Sequence, residues 1–257
     1  MPLSNASLEL TDDKYPRIDL GSGIPILLLH GMFGKPDNWD HALEHLSEKY
    51  RVITLELPIF DSSWRDPTVE GLSRYVADFM EWAELDGAVM VGNSLGGHIA
   101  LYLACFYPEL TRGLVLTGSS GLFERGYEQG IPTSPNRDWI YDRVAEIFYD
   151  KSNIRPEIVD EVDEFLKSRR NKFRLVKVAK SAKRTHMGEH LSKIEVPTLL
   201  VWGREDTITP LDVAHEFRDN IVDRELVIYE ECGHAPMLEY PEKFTESLLD
   251  FLDRRIG

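Results

Sequence analysis

The sequence has 257 residues, of which 42% are hydrophobic, 28% charged and 10% aromatic. That is the balance of an ordinary globular protein with one large core and room for a modest insertion. Twenty-nine Lys and Arg against 44 Asp and Glu leave a net charge of −15, which argues against nucleic acid or an anionic membrane as a general partner. The two cysteines, Cys105 and Cys232, lie far apart and exclude a disulfide framework or a metal knuckle. The first 23 residues are polar and carry no basic-then-apolar leader. No apolar run approaches the roughly 18 residues of a membrane span, so a cytoplasmic protein is expected.

In chain order, short apolar runs alternate with helical patterns, the signature of a mostly parallel α/β sheet. Residues 24–29 (IPILLL) predict a buried strand, followed by strands at 51–57 (RVITLEL), 88–91 (AVMV), 113–116 (GLVL), 197–202 (PTLLVW) and 225–229 (ELVIY). Helices are predicted near 38–48, 68–85, 95–107, 211–219 and 241–254. The rhythm breaks between residues 121 and 192. After a stretch with Gly121, Gly126, Gly130, Pro132 and Pro135, that segment reads as three helices, at 139–149, 156–167 and about 170–186, with no strand. The predicted organisation is a core of residues 1–120 and 193–257 with a helical cap, 121–192, inserted between two core strands.

The most informative segment runs from Val89 to Leu101, VMVGNSLGGHIAL. Apolar residues lead into Gly-x-Ser-x-Gly and a helical pattern leaves it. So sharp a reversal crowds the backbone, and glycine at Gly92 and Gly96 removes Cβ atoms that would clash. The turn presents the Ser94 hydroxyl above the sheet as a nucleophile. It also aims the main-chain N–H of Leu95 and a helix N-terminus at the same place, where negative charge would develop. A nucleotide-binding turn would require G-x-G-x-x-G or G-K-[ST], and neither is present.

From these residues the chain resembles the α/β-hydrolase superfamily over nearly its whole length, and most closely the meta-cleavage-product hydrolases and related bacterial carboxylesterases. The resemblance implies a mostly parallel central sheet flanked by helices, a helical cap, and a triad in the order Ser, acid, His. His30-Gly31-Met32-Phe33-Gly34 follows the first predicted strand and matches the His-Gly turn that the superfamily places after its third strand. By that resemblance the N–H of Met32 is the second oxyanion donor, opposite Leu95, while His30 holds the loop. The segment WGREDTITP (202–210) matches Gly-x-x-Asp ending in Pro and selects Asp206 over Glu205 as the triad acid. The alternative acid position, after the preceding core strand, reads TGSS (117–120) and has no carboxylate. ECGHAP (231–236) follows the last strand and makes His234 the general base, with Asp206 fixing its tautomer. Phe33 and Asn93, beside the donor turn and the nucleophile, are candidate substrate contacts.

Two further signals carry less. His41 to His45 matches H-x-x-E-H, a zinc-peptidase pattern, but lies where an exposed amphipathic helix is expected, and no downstream ligand is recognisable. Residues 167–184 hold nine Lys or Arg and no acid. At helical spacing Arg170, Arg174, Lys177 and Arg184 form a stripe opposite Phe173, Val176 and Ala179. That stripe reads as a solvated face, or as a source of one cation for a substrate carboxylate.

The expected reaction is serine hydrolysis of a small-molecule carbonyl substrate, with no metal and no organic cofactor. Ester hydrolysis is the first reading and carbon–carbon hydrolysis of a dienoic diketo acid the second. Against the second, Ala235 stands where the meta-cleavage family often has Trp. Val162 aligns where a cap arginine grips the substrate acid, and PIFD (58–61) replaces an expected Gly-rich turn. A non-catalytic ligand receptor on the same scaffold is a third reading. Dehalogenase and epoxide hydrolase chemistry is disfavoured because those relatives carry Asp at the position of Ser94.

Overall fold

The computed structural model describes residues 9–123, 132 and 135–257, so Gly126 and Gly130 lie outside the described residues. Seven strands form one sheet: β1 (Arg17–Leu20), β2 (Pro25–Leu29), β3 (Arg51–Leu55), β4 (Ala88–Asn93), β5 (Thr111–Thr117), β6 (Thr198–Gly203) and β7 (Arg224–Tyr229). Their order across the sheet is β1-β3-β2-β4-β5-β6-β7. All neighbours are parallel except β1, which runs antiparallel to β3 at the edge. The six apolar runs read from the sequence are β2 to β7. The seventh strand, β1, falls in the stretch read as polar and irregular. It alternates charged and apolar residues and buries only Ile18, so no apolar run marks it.

The strands bury both faces, and the period-2 alternation of side chains divides them between two cores. Leu27, Leu29, Met90, Leu114, Leu116 and Trp202 pack against α2 (Val69–Trp82), α3 (Leu95–Phe106) and α7 (Leu211–Asn220). Ile26, Leu28, Val89, Val91, Val115 and Val201 pack against α1 (Asp40–Leu46) and the C-terminal helix Pro241–Arg255. Helix starts follow local chemistry: the Thr68 hydroxyl accepts from Gly71 N–H and caps α2.

Between β5 and β6 the chain forms α4 (Arg137–Ala145), α5 (Pro156–Lys167) and α6 (Arg169–Arg184). Asn136 caps α4, Ser168 caps α6, and Pro156 stands in the first turn of α5. Their apolar residues Ile140, Val144, Val159, Leu166 and Leu175 form a third, smaller cluster. The helix α8 (Pro236–Glu239) is a single turn, and α9 (Pro241–Arg255) closes the chain.

Helix α6 corrects the expected stripe. Its buried face holds Arg174, Leu175, Val178, Ser181 and Ala182, while Phe173 and Val176 are exposed, Phe173 at 70%. The Arg174 guanidinium donates to the carbonyls of Ile59, Trp64 and Pro58 at 2.9, 2.8 and 3.0 Å. This residue therefore points inward because three main-chain oxygens satisfy it, and not toward solvent or a ligand.

Candidate active site

Because β2, β4, β6 and β7 are parallel, the loops that follow them leave the same edge of the sheet, where α/β proteins place their ligands. On those loops stand Met32, Ser94, Asp206 and His234. Ser94 has φ 54° and ψ −116°, a left-handed conformation that costs a residue with a Cβ roughly 1–3 kcal/mol. The elbow is held from outside. Ser94 N–H donates to Thr117 O at 3.2 Å, and Ser94 O accepts from Ser120 N–H and His98 N–H. A Cβ at Gly96 would lie 2.1 Å from Leu29 O, so only glycine allows α3 to start this close to the end of β2.

That closeness brings the turn after β2 against Ser94. A Cβ at Gly31 would lie 3.3 Å from the Ser94 Cβ. Leu95 opens α3, and a first-turn N–H has no acceptor inside its own helix. Met32 N–H has no main-chain acceptor among the described residues. The turn is braced by His30, whose Nε2 accepts from Leu57 N–H at 3.0 Å while Nδ1 donates to Gly31 O at 2.8 Å. Burial pushes the His30 ring down to about 4, although the Gly31 carbonyl favours the charged form. A neutral ring is what this bonding pattern needs.

Asp206 is 4% exposed and its carboxylate accepts from four donors. Oδ1 takes Ile208 N–H and Thr209 N–H at 2.8 and 2.9 Å, and Oδ2 takes the Thr209 hydroxyl at 2.8 Å and His234 Nδ1 at 2.9 Å. Burial alone would raise this carboxyl. The His234 charge and hydrogen bond, with the Thr209 donors, outweigh it and hold the group below the usual carboxylate value. Glu205, its neighbour, has a different use: it accepts from Cys232 N–H at 3.0 Å and fixes the loop that carries His234.

His234 is buried and its main chain is tied at both ends. Its N–H donates to Ile147 O at 2.8 Å, beyond the end of α4, and its carbonyl accepts from the Asn93 amide at 3.0 Å. Asn93 donates also to Thr117 O at 3.0 Å. This candidate substrate contact therefore uses its amide nitrogen to hold the imidazole loop, leaving Oδ1 beside Gly31. Nδ1 faces Asp206, so Nε2 is the nitrogen left for chemistry. Among the described residues, neither Nε2 nor the Ser94 hydroxyl makes a hydrogen bond. Cys232 is fully buried, and burial pushes its thiol up, an inert neighbour.

A cavity of about 1260 Å³ opens beside this constellation. Among the described residues, Ser94, Asp206 and His234 do not line it; its wall includes Met32 and Phe33, from the turn that packs against Ser94 through Gly31. Ile158, Val162 and Phe165 of α5 form part of its wall, and the loop held by Arg174 contributes Phe60 and Trp64. Phe33, the other candidate substrate contact, stands on the cavity wall. His41 and His45 have local uses: their rings stack at 4.2 Å, and His41 Nδ1 lies 2.9 Å from the Thr245 hydroxyl on α9. Among the described residues, no group of three or more His, Cys, Asp or Glu is arranged to hold a metal ion, and no helix is long and apolar enough to cross a membrane.

Sequence reasoning missed the cavity's acidic residues, the Asn93 clamp and the Glu205 clamp. The motifs gave a signal for the elbow but none for which neighbours hold it.

Comparison with known proteins agrees with the geometry. The chain is 30% identical over 253 residues to the 2-hydroxy-6-oxo-6-(2'-aminophenyl)hexa-2,4-dienoic acid hydrolase of Metapseudomonas resinovorans, covering 93% of this chain and 87% of that one. An alpha/beta hydrolase enzyme from the metagenome of sediments of the Mar Chica lagoon, Morocco, superposes with a TM-score of 0.78 at 33% identity, over 95% of this chain and 97% of the other. A membrane phospholipase A described as a bacterial virulence factor superposes with a TM-score of 0.82 at 25% identity, over 95% and 84%. With the sheet order, the strained serine elbow and a family match spanning residues 26–247, the chain belongs to the alpha/beta hydrolase family.

Proposed function

We propose that this hydrolase cleaves carboxylic esters of small molecules, with Ser94 as nucleophile, His234 as general base and Asp206 as the residue that orients the imidazole. The observation that carries the reading is the buried Asp206–His234 pair, 2.9 Å apart, with His234 on a loop anchored to the residue next to Ser94. In the reaction His234 Nε2 takes the hydroxyl proton as Ser94 attacks the carbonyl carbon. Asp206 stabilises the imidazolium that forms. The N–H groups of Met32 and Leu95 receive the oxyanion, each such donor contributing about 2.7–4 kcal/mol to the transition state. The imidazolium then protonates the leaving alcohol, and water activated by the same nitrogen releases the acid. No step requires a metal or organic cofactor. Residues 121–192 act as the cap that shapes the site over the core of 1–120 and 193–257.

The cavity favours an ester over a dienoic diketo acid. Its lining includes six carboxylates, of Asp13, Glu56, Asp61, Asp78, Glu161 and Glu164, against two lysines. A substrate carboxylate would enter against that charge. Arg174, the buried cation of α6, is already saturated by main-chain carbonyls. Carbon–carbon hydrolysis remains the second reading, favoured by the sequence similarity to the dienoic acid hydrolase. A panel of p-nitrophenyl esters of graded acyl length, run beside one dienoic ring-fission product, separates them. Turnover of the short esters, lost in Ser94→Ala with the fold intact, supports the first. A clear preference for the dienoic acid would overturn it in favour of the second, and ester turnover retained by Ser94→Ala would remove Ser94 as nucleophile.

A further inference from the structure

The same cavity has a composition suited to one chemical group. Three rings cluster on its wall: Phe60 and Phe165 at 4.1 Å, with Phe33 5.8 and 5.6 Å from them. Three of its carboxylates already have cationic partners: Asp13 pairs with Arg17, Glu161 with Lys35 and Glu164 with Lys167. Glu56, Asp61 and Asp78 also line it and, among the described residues, none of them has an ion pair within 4 Å. Among the described residues Asp61 accepts only from Ser63, with Arg174 and Arg170 near enough to help hold its carboxyl below the usual value.

A second observation points to a ligand. Tyr75 is 5% exposed and lines the cavity, yet among the described residues its hydroxyl has no hydrogen-bond partner. Burial first, then the charges of Tyr15, Glu56, Asp61 and Asp13, push this phenol above its usual range, which sets it among the carboxylates. The ring is buried while the hydroxyl is not sealed among protein atoms, so this polar tip on the cavity wall is free to meet a ligand. Carboxylates alone would suit many cations, and aromatic rings alone many apolar groups. Together they suit an alkylated ammonium, whose charge meets the ring faces and the acids while its alkyl surface leaves water. An anion or a neutral polar group gains neither.

We propose that this cavity binds an alkylammonium group, so that the substrate cleaved at Ser94 carries a cationic portion beside its ester. The proposal rests on the ester-hydrolase reading for the identity of the reaction, but its binding half can be measured without turnover. The turn after β2 supplies the connection: Gly31 packs against Ser94, and the next two residues, Met32 and Phe33, both line the cavity. A cation seated against Phe33, Phe60 and Phe165 would place its ester toward Ser94.

The test is calorimetric titration of the Ser94→Ala protein at low ionic strength with choline and with its uncharged carbon isostere, dimethylbutanol. Choline should bind roughly tenfold more tightly. Glu56→Gln and Phe60→Leu, each added singly to folded Ser94→Ala protein, should each reduce that preference by about threefold or more. Equal affinities for the two probes, or no choline binding at millimolar concentration, would overturn the proposal. In the unmodified enzyme, butyrylcholine should show the lower KM when compared with dimethylbutyl butyrate. Cleavage of both esters without discrimination would sink the cation site while leaving the ester reading standing. Choline binding without cleavage of either ester would do the reverse.

Discussion

The Asn93 amide donates to the main-chain carbonyl of His234 at 3.0 Å, so the residue next to Ser94 fixes the loop that carries the imidazole. The same nitrogen reaches Thr117 O, which also accepts from Ser94 N–H. One side chain thereby couples the elbow, the end of β5 and the loop after β7. Asn93→Ala leaves two buried carbonyls without this donor, and should cost about 1–3 kcal/mol of stability. It should lower kcat more than it raises KM, because the loop that loosens holds the proposed base, His234, rather than the substrate. Thermal unfolding and steady-state kinetics on a p-nitrophenyl ester measure both. An unchanged kcat would mean that Ile147 and Glu205 suffice to hold the loop.

Asp206, the proposed triad acid, should be sensitive to charge and not merely to shape. Asp206→Asn keeps the volume but offers His234 a different partner, and an uncharged one at this position can select the wrong tautomer. A fall in kcat of about 1,000- to 10,000-fold is expected. Thr209→Val is milder: it removes the hydroxyl that donates to Asp206 Oδ2 at 2.8 Å. The carboxyl then rises toward its ordinary value of 3.8. A depressed carboxyl stabilises the fold above its ordinary value and loses that contribution as pH falls through the folded value. Acid unfolding of Thr209→Val should therefore begin at a higher pH than in the parent, as followed by circular dichroism. An acid midpoint that does not move would assign the depression to His234 and the main-chain N–H donors.

The buried strands were legible because burial on both faces makes an unbroken apolar run, and β2, β4 and β6 have just that. Edge strand β1 was not, since Arg17 and Asp19 alternate with the single buried Ile18. The elbow was legible because Gly96 meets a main-chain oxygen, a constraint that only one residue type meets. Arg174 was misread for the opposite reason: spacing cannot reveal that Pro58, Ile59 and Trp64, far away in sequence, present carbonyls to a helix. The cavity was invisible on the same ground, because its acids come from the N-terminal segment, the loop after β3, α2 and α5, and no local pattern joins them.

That loop makes Arg174 a test of how the cavity is built. Removing its guanidinium leaves the carbonyls of Pro58, Ile59 and Trp64 unpaired next to Phe60 and Asp61. Arg174→Met should lower stability by roughly 2–4 kcal/mol. Arg174→Lys should recover little, since an ammonium cannot reproduce a planar fork aimed at three oxygens. Substrate discrimination should weaken in both variants more than turnover of a short ester, because the loop lines the cavity and does not touch Ser94, Asp206 or His234. Melting temperatures beside KM for a large and a small ester decide this. Rescue by Lys would show that charge, not geometry, holds the loop.

Two buried histidines set the acid side of stability. Burial, the larger effect, pushes His30 and His98 from 6.5 down to about 4 against carbonyls that favour the charged form. In His30 the reason is visible: Nε2 accepts Leu57 N–H, and a proton there would turn donor against donor. Between pH 6.5 and 4 the unfolded chain takes up protons that the folded one refuses, so stability rises with pH in that window and falls as it is lowered. Each histidine should contribute a loss of about 3 kcal/mol across it. Urea unfolding at intervals from neutral pH downward should show the fall well above the carboxylate range, and His98→Gln should remove about half of it. Constant stability across the window would mean that both rings accept protons without opening the fold. In that case the brace from His30 to Leu57 would not depend on a neutral ring.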